Sequence, residues 1–140
     1  QFLPDMMLKG LDSHEVRLSD FAGKPMVISL WASWCPLCKN QLTQLNALQK
    51  EFSSGNGGDA VFLAINRGES SEQVQAVSQE LGIDSSLLTL LDTHDALYRA
   101  VNGFSMPETL FIGKDGIIRE RQRGLASLEE LRRHVRDLQR

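Results

Sequence analysis

The sequence predicts an α/β fold: a central mixed β-sheet with helices on both faces and an N-terminal β-hairpin extension. Three observations predict it. The apolar runs Met26–Ala32 and Ala60–Ile65 are each followed by a helix-patterned stretch, the alternation that builds parallel strands. Thr109–Ile112 and Ile117–Arg121 flank Lys114-Asp115-Gly116, a hairpin signal that adds antiparallel strands. The last stretch places Leu128, Leu131, Val135 and Leu138 on one helical face. The chain has 140 residues, enough for one domain with a buried core. It reads as a single unit over 1–140, with 1–25 as the hairpin extension and 26–140 as the core.

The elements follow in order. Met7-Leu8 and Val16–Leu18 flank the turn-rich Gly10–His14, giving the N-terminal hairpin. Ser19–Phe21 open a short helical turn ended by Gly23. Met26–Ala32 is almost continuously apolar, which suits a central strand covered on both faces. A long helix runs from about Cys35 to Phe52, with Leu42, Leu45, Leu48 and Phe52 facing the core. Ser53–Asp59 is a loop by composition, too short to separate domains. Ala60–Ile65 forms the next strand, and Ser70-Ser71-Glu72 opens a helix ending near Gly82. A strand over Leu88–Leu91 and a short helix over His94–Val101 lead to the hairpin, and Ser127 caps the final helix.

Composition removes several function classes. Fifteen basic and 18 acidic residues give a net charge of −3, which does not point to nucleic acid. Arginines crowd the C-terminal end (Arg119, Arg121, Arg123, Arg132, Arg133, Arg136, Arg140), but interleaved acids make this a solvated face. No apolar run approaches the roughly 20 residues of a membrane span. The chain opens at Gln1 without an initiator Met or charged leader, which reads as a processed or truncated product.

Chemistry concentrates at Cys35 and Cys38, the two cysteines of the chain. A bridge between them closes too small a loop to stabilise the fold much, so redox chemistry or metal binding must explain the pair. A strand running straight into Cys-x-x-Cys at a helix start favours redox. The first sulfur there meets unpaired N–H groups and the positive end of the helix dipole. Such cysteines titrate at about 3.5–7.5, against about 8.5 for a free thiol. Cys35 is therefore the nucleophile, and Cys38, one turn on, the resolving thiol. Pro36 suits the first helical position. Trp31 reads as core and Trp34 as a partly exposed wall beside Cys35. Zinc would need about four ligands, and His14, His94 and His134 are scattered, so no metal site is expected. Met106-Pro107 lies where a turn enters the last hairpin. On base rates its peptide bond would be trans, since only about 5–6% of X–Pro bonds are cis.

Trp31-Ala32-Ser33-Trp34-Cys35-Pro36-Leu37-Cys38 resembles the active site of the thioredoxin superfamily. Four further segments are similar to its TlpA/ResA/CcmG (DsbE) branch: Pro4-Asp5, Leu18–Pro25, Asn66–Ser70, and Met106–Ile112 followed by Lys114-Asp115-Gly116. The resemblance covers about residues 4–138. It implies a thioredoxin fold and an extracytoplasmic, periplasmic protein, tethered to the inner membrane by a segment upstream. It implies reduction of disulfides in protein substrates, as in cytochrome c biogenesis or copper-site assembly, with a membrane electron donor. The redox-active Cys35–Cys38 disulfide would be the sole redox group, without another cofactor, in a monomer. It also implies that Pro107 is cis and packs against the cysteine pair, and that backbone near Met106 pairs with a bound substrate.

Two positions depart from that pattern. Thioredoxins carry an Asp where this chain has Ser29, and ResA- and CcmG-like proteins often carry a Glu where it has Gln41. The proton acceptor for Cys38 is then water or another carboxylate. Gln41 stands at the usual position, and Glu69 and Glu108 are the candidate carboxylates, although the ordinary reading makes both exposed loop acids. Three other readings remain: a net disulfide oxidase or isomerase, since a Pro after the first Cys also occurs in oxidising relatives; a thiol-based copper-binding module; and a peroxidase, for which the activating Arg is not evident.

Overall fold

The computed structural model describes residues 1–52 and 59–139. Among the described residues seven strands and four α-helices follow in the order β1 (Met7–Gly10), β2 (Glu15–Arg17), β3 (Met26–Trp31), α1 (Pro36–Phe52), β4 (Val61–Arg67), α2 (Ser71–Leu81), β5 (Leu87–Asp92), α3 (Ala96–Ala100), β6 (Glu108–Ile112), β7 (Ile118–Arg123) and α4 (Leu128–Leu138). The strands form one sheet in the order β2-β1-β5-β4-β3-β6-β7. β3, β4 and β5 run parallel, while β6 lies antiparallel to β3, β7 to β6, and β1 to both β2 and β5.

β3 lies at the centre of the sheet, and every one of its residues is buried. Period-two alternation sends Val27 and Trp31 to one face and Met26, Ile28 and Leu30 to the other. The first face is covered by α1 (Leu42, Leu45, Leu48), α2 (Val74, Val77) and α4 (Leu131, Val135). The second takes Leu97 of α3, Leu18, and Tyr98 and Val101. A strand clothed on both sides must be apolar throughout, which is why its run is continuous in the sequence.

Several boundaries differ from expectation, each for a local reason. Leu18 does not extend β2. It opens a 3-10 turn over Leu18–Phe21, because Asp20 accepts the Arg17 N–H (3.1 Å) and Asp5 accepts that of Ser19 (3.0 Å). α3 starts only at Ala96: the Asp92 carboxylate takes the N–H groups of Ala96 (3.0 Å) and Leu97 (2.7 Å), and Asp95 turns left-handed at φ 54°. β4 runs on through Asn66 and Arg67, and β7 through Arg123. Of the predicted loop Ser53–Asp59, residues 53–58 lie outside the described residues.

One end of the sheet collects the chemistry. The C-terminal ends of β3 and β4 lie side by side, Trp31 opposite Asn66, and β6 enters from the same end with Glu108 opposite Leu30.

Candidate active site

Cys35 sits immediately before α1, where a helix presents N–H groups without intrahelical partners. Pro36 follows at the first helical position, where it needs no N–H. Cys38 is the third residue of the helix, and its backbone N–H donates to Cys35 Sγ at 3.2 Å. This is the bond an N-capping Ser or Asp would receive, made here to sulfur. A negative sulfur accepts it better than a neutral one, so the geometry favours the Cys35 thiolate. The two sulfurs are joined as a disulfide, with Cα atoms 5.2 Å apart. Cys35 keeps 6% of its surface and Cys38 none, so an incoming group reaches Cys35 first.

The Met106–Pro107 bond is cis. Pro107 is buried, and Met106 packs against the cluster holding both cysteines. The Pro107 carbonyl accepts the Gly124 N–H at 2.9 Å, which brings the β7–α4 connection alongside. Of the six large apolar side chains exposed among the described residues, four (Trp34, Leu37, Phe104 and Leu125) belong to the three segments that meet here. Trp31 is core and Trp34 is exposed at 69%, more a projecting surface than a partly exposed wall.

The candidate proton acceptors stand differently from expectation. Gln41 is fully buried, and its Oε1 accepts the Ala126 N–H (2.9 Å) while its Nε2 donates to the Ala126 carbonyl (3.4 Å) and to Gln44 Oε1 (2.8 Å). A carboxylate could make only the first of these bonds, so the amide is a tie between α1 and the segment before α4, not a proton carrier. Ser29 alternates with Val27 and Trp31, hence lies on the α1 face. Its hydroxyl and that of Thr109, its partner across β3 and β6, are buried without partners.

Glu108 is not an exposed loop acid. It opens β6 and is wholly buried. Oε1 accepts the N–H groups of Phe104 and Ser105 (both 3.3 Å) and the Ser105 hydroxyl (3.1 Å). Oε2 accepts from Arg121 (3.0 Å), and Arg123 stands 3.6 Å away. Glu108 thus anchors the loop leading to Pro107 from the sheet face opposite the cysteines, because Thr109 and Phe111 alternate with it. Glu69 is not a free loop acid either. It accepts the Ser33 N–H (2.7 Å), the Ser33 hydroxyl (2.5 Å) and Asn66 Nδ2 (2.7 Å). Burial alone would raise its carboxyl, but the bonds from Asn66 and Ser33 outweigh that and hold it below the ordinary glutamate value. Sequence reasoning missed Ser33, Asn66 and Arg121 as parts of the site. Their only signal was placement: Ser33 inside the cysteine motif, and Asn66 three residues before Glu69.

Among the described residues no group of three or more His, Cys, Asp or Glu side chains could hold a metal ion. His14 pairs with Asp12, and the His134 ring lies tilted against Phe111, with centroids 4.8 Å apart.

A strand-fed Cys-x-x-Cys disulfide on a thioredoxin-like sheet defines a thiol–disulfide oxidoreductase of the ResA and DsbE type. The chain belongs to the AhpC/TSA family, whose model matches residues 1–121. It is 28% identical over 135 residues to the thiol-disulfide oxidoreductase ResA of Geobacillus kaustophilus, covering 96% of this chain and 75% of that one. A Chlorobium tepidum crystal structure described as a thiol:disulfide interchange protein DsbE superposes with a TM-score of 0.88 at 20% identity, covering 100% of this chain and 96% of that one. The exposed lipoprotein thioredoxin Etrx1 of Streptococcus pneumoniae gives 0.76 at 27% identity, covering 96% and 100%.

Proposed function

We propose that the protein is an extracytoplasmic reductase of disulfides in protein substrates, with Cys35 as nucleophile and Cys38 as resolving thiol. The Cys38 N–H donating to Cys35 Sγ at the start of α1 supports Cys35 as the nucleophile, and the reducing direction is taken from the resemblance to the TlpA/ResA/CcmG branch. In the reduced protein the Cys35 thiolate attacks one sulfur of a substrate disulfide. The substrate bond breaks, the other substrate sulfur leaves as a thiolate and takes a proton, and a mixed disulfide remains. Cys38 gives up its proton and attacks Cys35 Sγ. The second substrate thiol is released, and two electrons have passed from the Cys35–Cys38 dithiol to the substrate. No metal or further cofactor enters the cycle. With Ser29 and Gln41 uncharged, water takes the Cys38 proton.

Protein substrates are supported by the apolar surface of Trp34, Leu37, Phe104 and Leu125 around the pair. An extended substrate segment pairs with backbone near Met106, the position beside the cis Pro107. The natural clients are cysteine pairs that must be reduced before haem attachment in cytochrome c biogenesis or before copper insertion. An extracytoplasmic, membrane-tethered monomer fed by a membrane electron donor fits this role, and the similarity to the pneumococcal exposed lipoprotein thioredoxin supports that location.

The test is the equilibrium reduction potential of the pair, titrated against glutathione with tryptophan fluorescence as readout. A reductant lies near thioredoxin at about −270 mV, and a value near about −120 mV makes the protein a disulfide donor instead. Alongside it, Cys35→Ser abolishes turnover and Cys38→Ser accumulates mixed disulfides. Turnover by the Cys35→Ser protein overturns the assignment of the nucleophile.

A further inference from the structure

Ser33 lies two residues before Cys35, in the turn that delivers the nucleophile from β3 to α1. The neighbouring Ala32 carbonyl accepts the Cys35 N–H at 3.3 Å, so the backbone around Ser33 sets where Cys35 begins. Glu69 comes from a separate element, the connection between β4 and α2, 36 residues away. It reaches Ser33 because Gly68 turns left-handed (φ 69°) just after β4 and aims the next residue back over the strand ends. Asn66, fully buried and opposite Trp31, completes the assembly: its amide donates to Glu69, and its Oδ1 accepts the Glu69 N–H at 3.1 Å. One carboxylate therefore gathers both donors of Ser33 and one of Asn66.

We propose that Glu69 is a positioning residue for Cys35, fixing the turn before the nucleophile by hydrogen bonding and keeping the pair reducing through its negative charge. The two effects are physically distinct. Three donors on one carboxylate hold Ser33 at both its N–H and its hydroxyl, so the turn cannot shift without breaking charge-assisted bonds. The charge acts on the sulfur. An anion near Cys35 opposes the thiolate that the helix terminus favours, and a less stabilised thiolate makes a stronger reductant. No cation stands among the groups that act on Glu69 to neutralise it. Arg67, two residues before Glu69, is engaged elsewhere, with Asp95 (2.8 Å) and the Tyr98 ring. The bonds from Ser33 and Asn66 favour its ionised form and so make Glu69 a weak proton acceptor for Cys38.

This inference rests on Cys35 being the nucleophile, and the experiment tests that separately. Glu69→Gln preserves the geometry and removes the charge. The Gln oxygen accepts from Ser33 N–H and Asn66, and the Gln amide donates to Ser33 Oγ once that hydroxyl rotates. Glu69→Ala removes both effects. Each folded variant is titrated against glutathione, and alkylation by iodoacetamide is followed against pH, with mass spectrometry locating the labelled sulfur. Glu69→Gln is expected to shift the exchange equilibrium toward the reduced protein by about threefold or more and to move the alkylation profile to lower pH, with a smaller fall in the unfolding midpoint than Glu69→Ala. Glu69→Ala shows the same shift and loses more unfolding stability. An equilibrium and an alkylation profile unchanged in Glu69→Gln overturn the electrostatic role. Wild-type stability in Glu69→Ala overturns the positioning role. Label on Cys38 in every protein overturns instead the assignment of Cys35. If Glu69→Ala fails to fold, the loss of stability has been observed in its extreme form and Glu69→Gln still decides the charge.

Discussion

Replacing Glu108 by Ala takes the carboxylate out of a wholly buried site and leaves its partners behind. Arg121, whose side chain is 16% exposed, loses its counter-charge at 3.0 Å. Phe104 N–H, Ser105 N–H and the Ser105 hydroxyl lose their acceptor. Removing one member of a buried ion pair costs about 3–5 kcal/mol, because the other charge stays buried. Arg121 keeps the Val101 carbonyl, which offsets part of this. The bonds to Phe104 and Ser105 are long, so each adds back no more than about 1 kcal/mol. Arg123 is half-exposed at 3.6 Å and contributes little. The net expectation is a loss of about 4 kcal/mol, a fall in Tm of about 12 °C for a chain of this size. Urea unfolding of the oxidised protein measures it. Replacing Glu108 and Arg121 together by Met recovers much of the loss, because no unpaired charge remains. A loss under about 1 kcal/mol in the single variant would refute the reasoning, since that is what an exposed ion pair contributes.

Two further perturbations test the packing around the site. Gln41→Glu sets a carboxylate oxygen against the Ala126 carbonyl, where the amide now donates at 3.4 Å; a loss of about 2 kcal/mol is expected at neutral pH. Burial raises the new carboxyl above its unfolded value, so the deficit is smallest in acid and grows as pH rises through the folded value; urea melts across pH measure it, and a pH-independent deficit contradicts it. Gly103→Ala builds a Cβ 2.5 Å from Cε1 of Tyr98, whose ring is held by its hydroxyl on the Ser105 carbonyl (2.8 Å) and by Arg67 3.4 Å above it. Overpacking there is expected to cost about 1–3 kcal/mol, read as a lower Tm, and an unchanged Tm shows that the ring yields freely.

The parts of the fold legible in the sequence are those whose cause is local. β3 announced itself because burial on both faces leaves no regular polar position, with Ser29 as the exception. α4 did so through Leu128, Leu131, Val135 and Leu138, and its Ser127 cap accepts the Glu130 N–H as expected at 3.1 Å. The cysteine pair was legible because strand, motif and helix start are contiguous. The acids were not. Whether Glu69 or Glu108 is a surface acid depends on donors delivered by distant segments, Ser33 in one case and Arg121 of β7 in the other. No local periodicity encodes such a meeting. Gln41 has the same character: its partner, Ala126, is 85 residues away, so the exchange of a carboxylate for an amide could be noticed in the sequence but not explained.

The outer strand of the sheet has a bearing on the company such a protein keeps. β7 is an edge: among the described residues only its first residue is met on the outer side, where the Ile118 N–H donates to the Gln1 carbonyl at 2.8 Å. Its sequence, Ile-Arg-Glu-Arg-Gln-Arg, is nearly all charged or amide, whereas β6 beside it is apolar at three of five positions. Unfolded chains bearing disulfides carry sticky strands of their own, and an apolar border would recruit them into runaway β-pairing. The exposed Arg119, Glu120 and Arg123 make that association costly. The charged border thus disfavours strand pairing along that edge of the sheet.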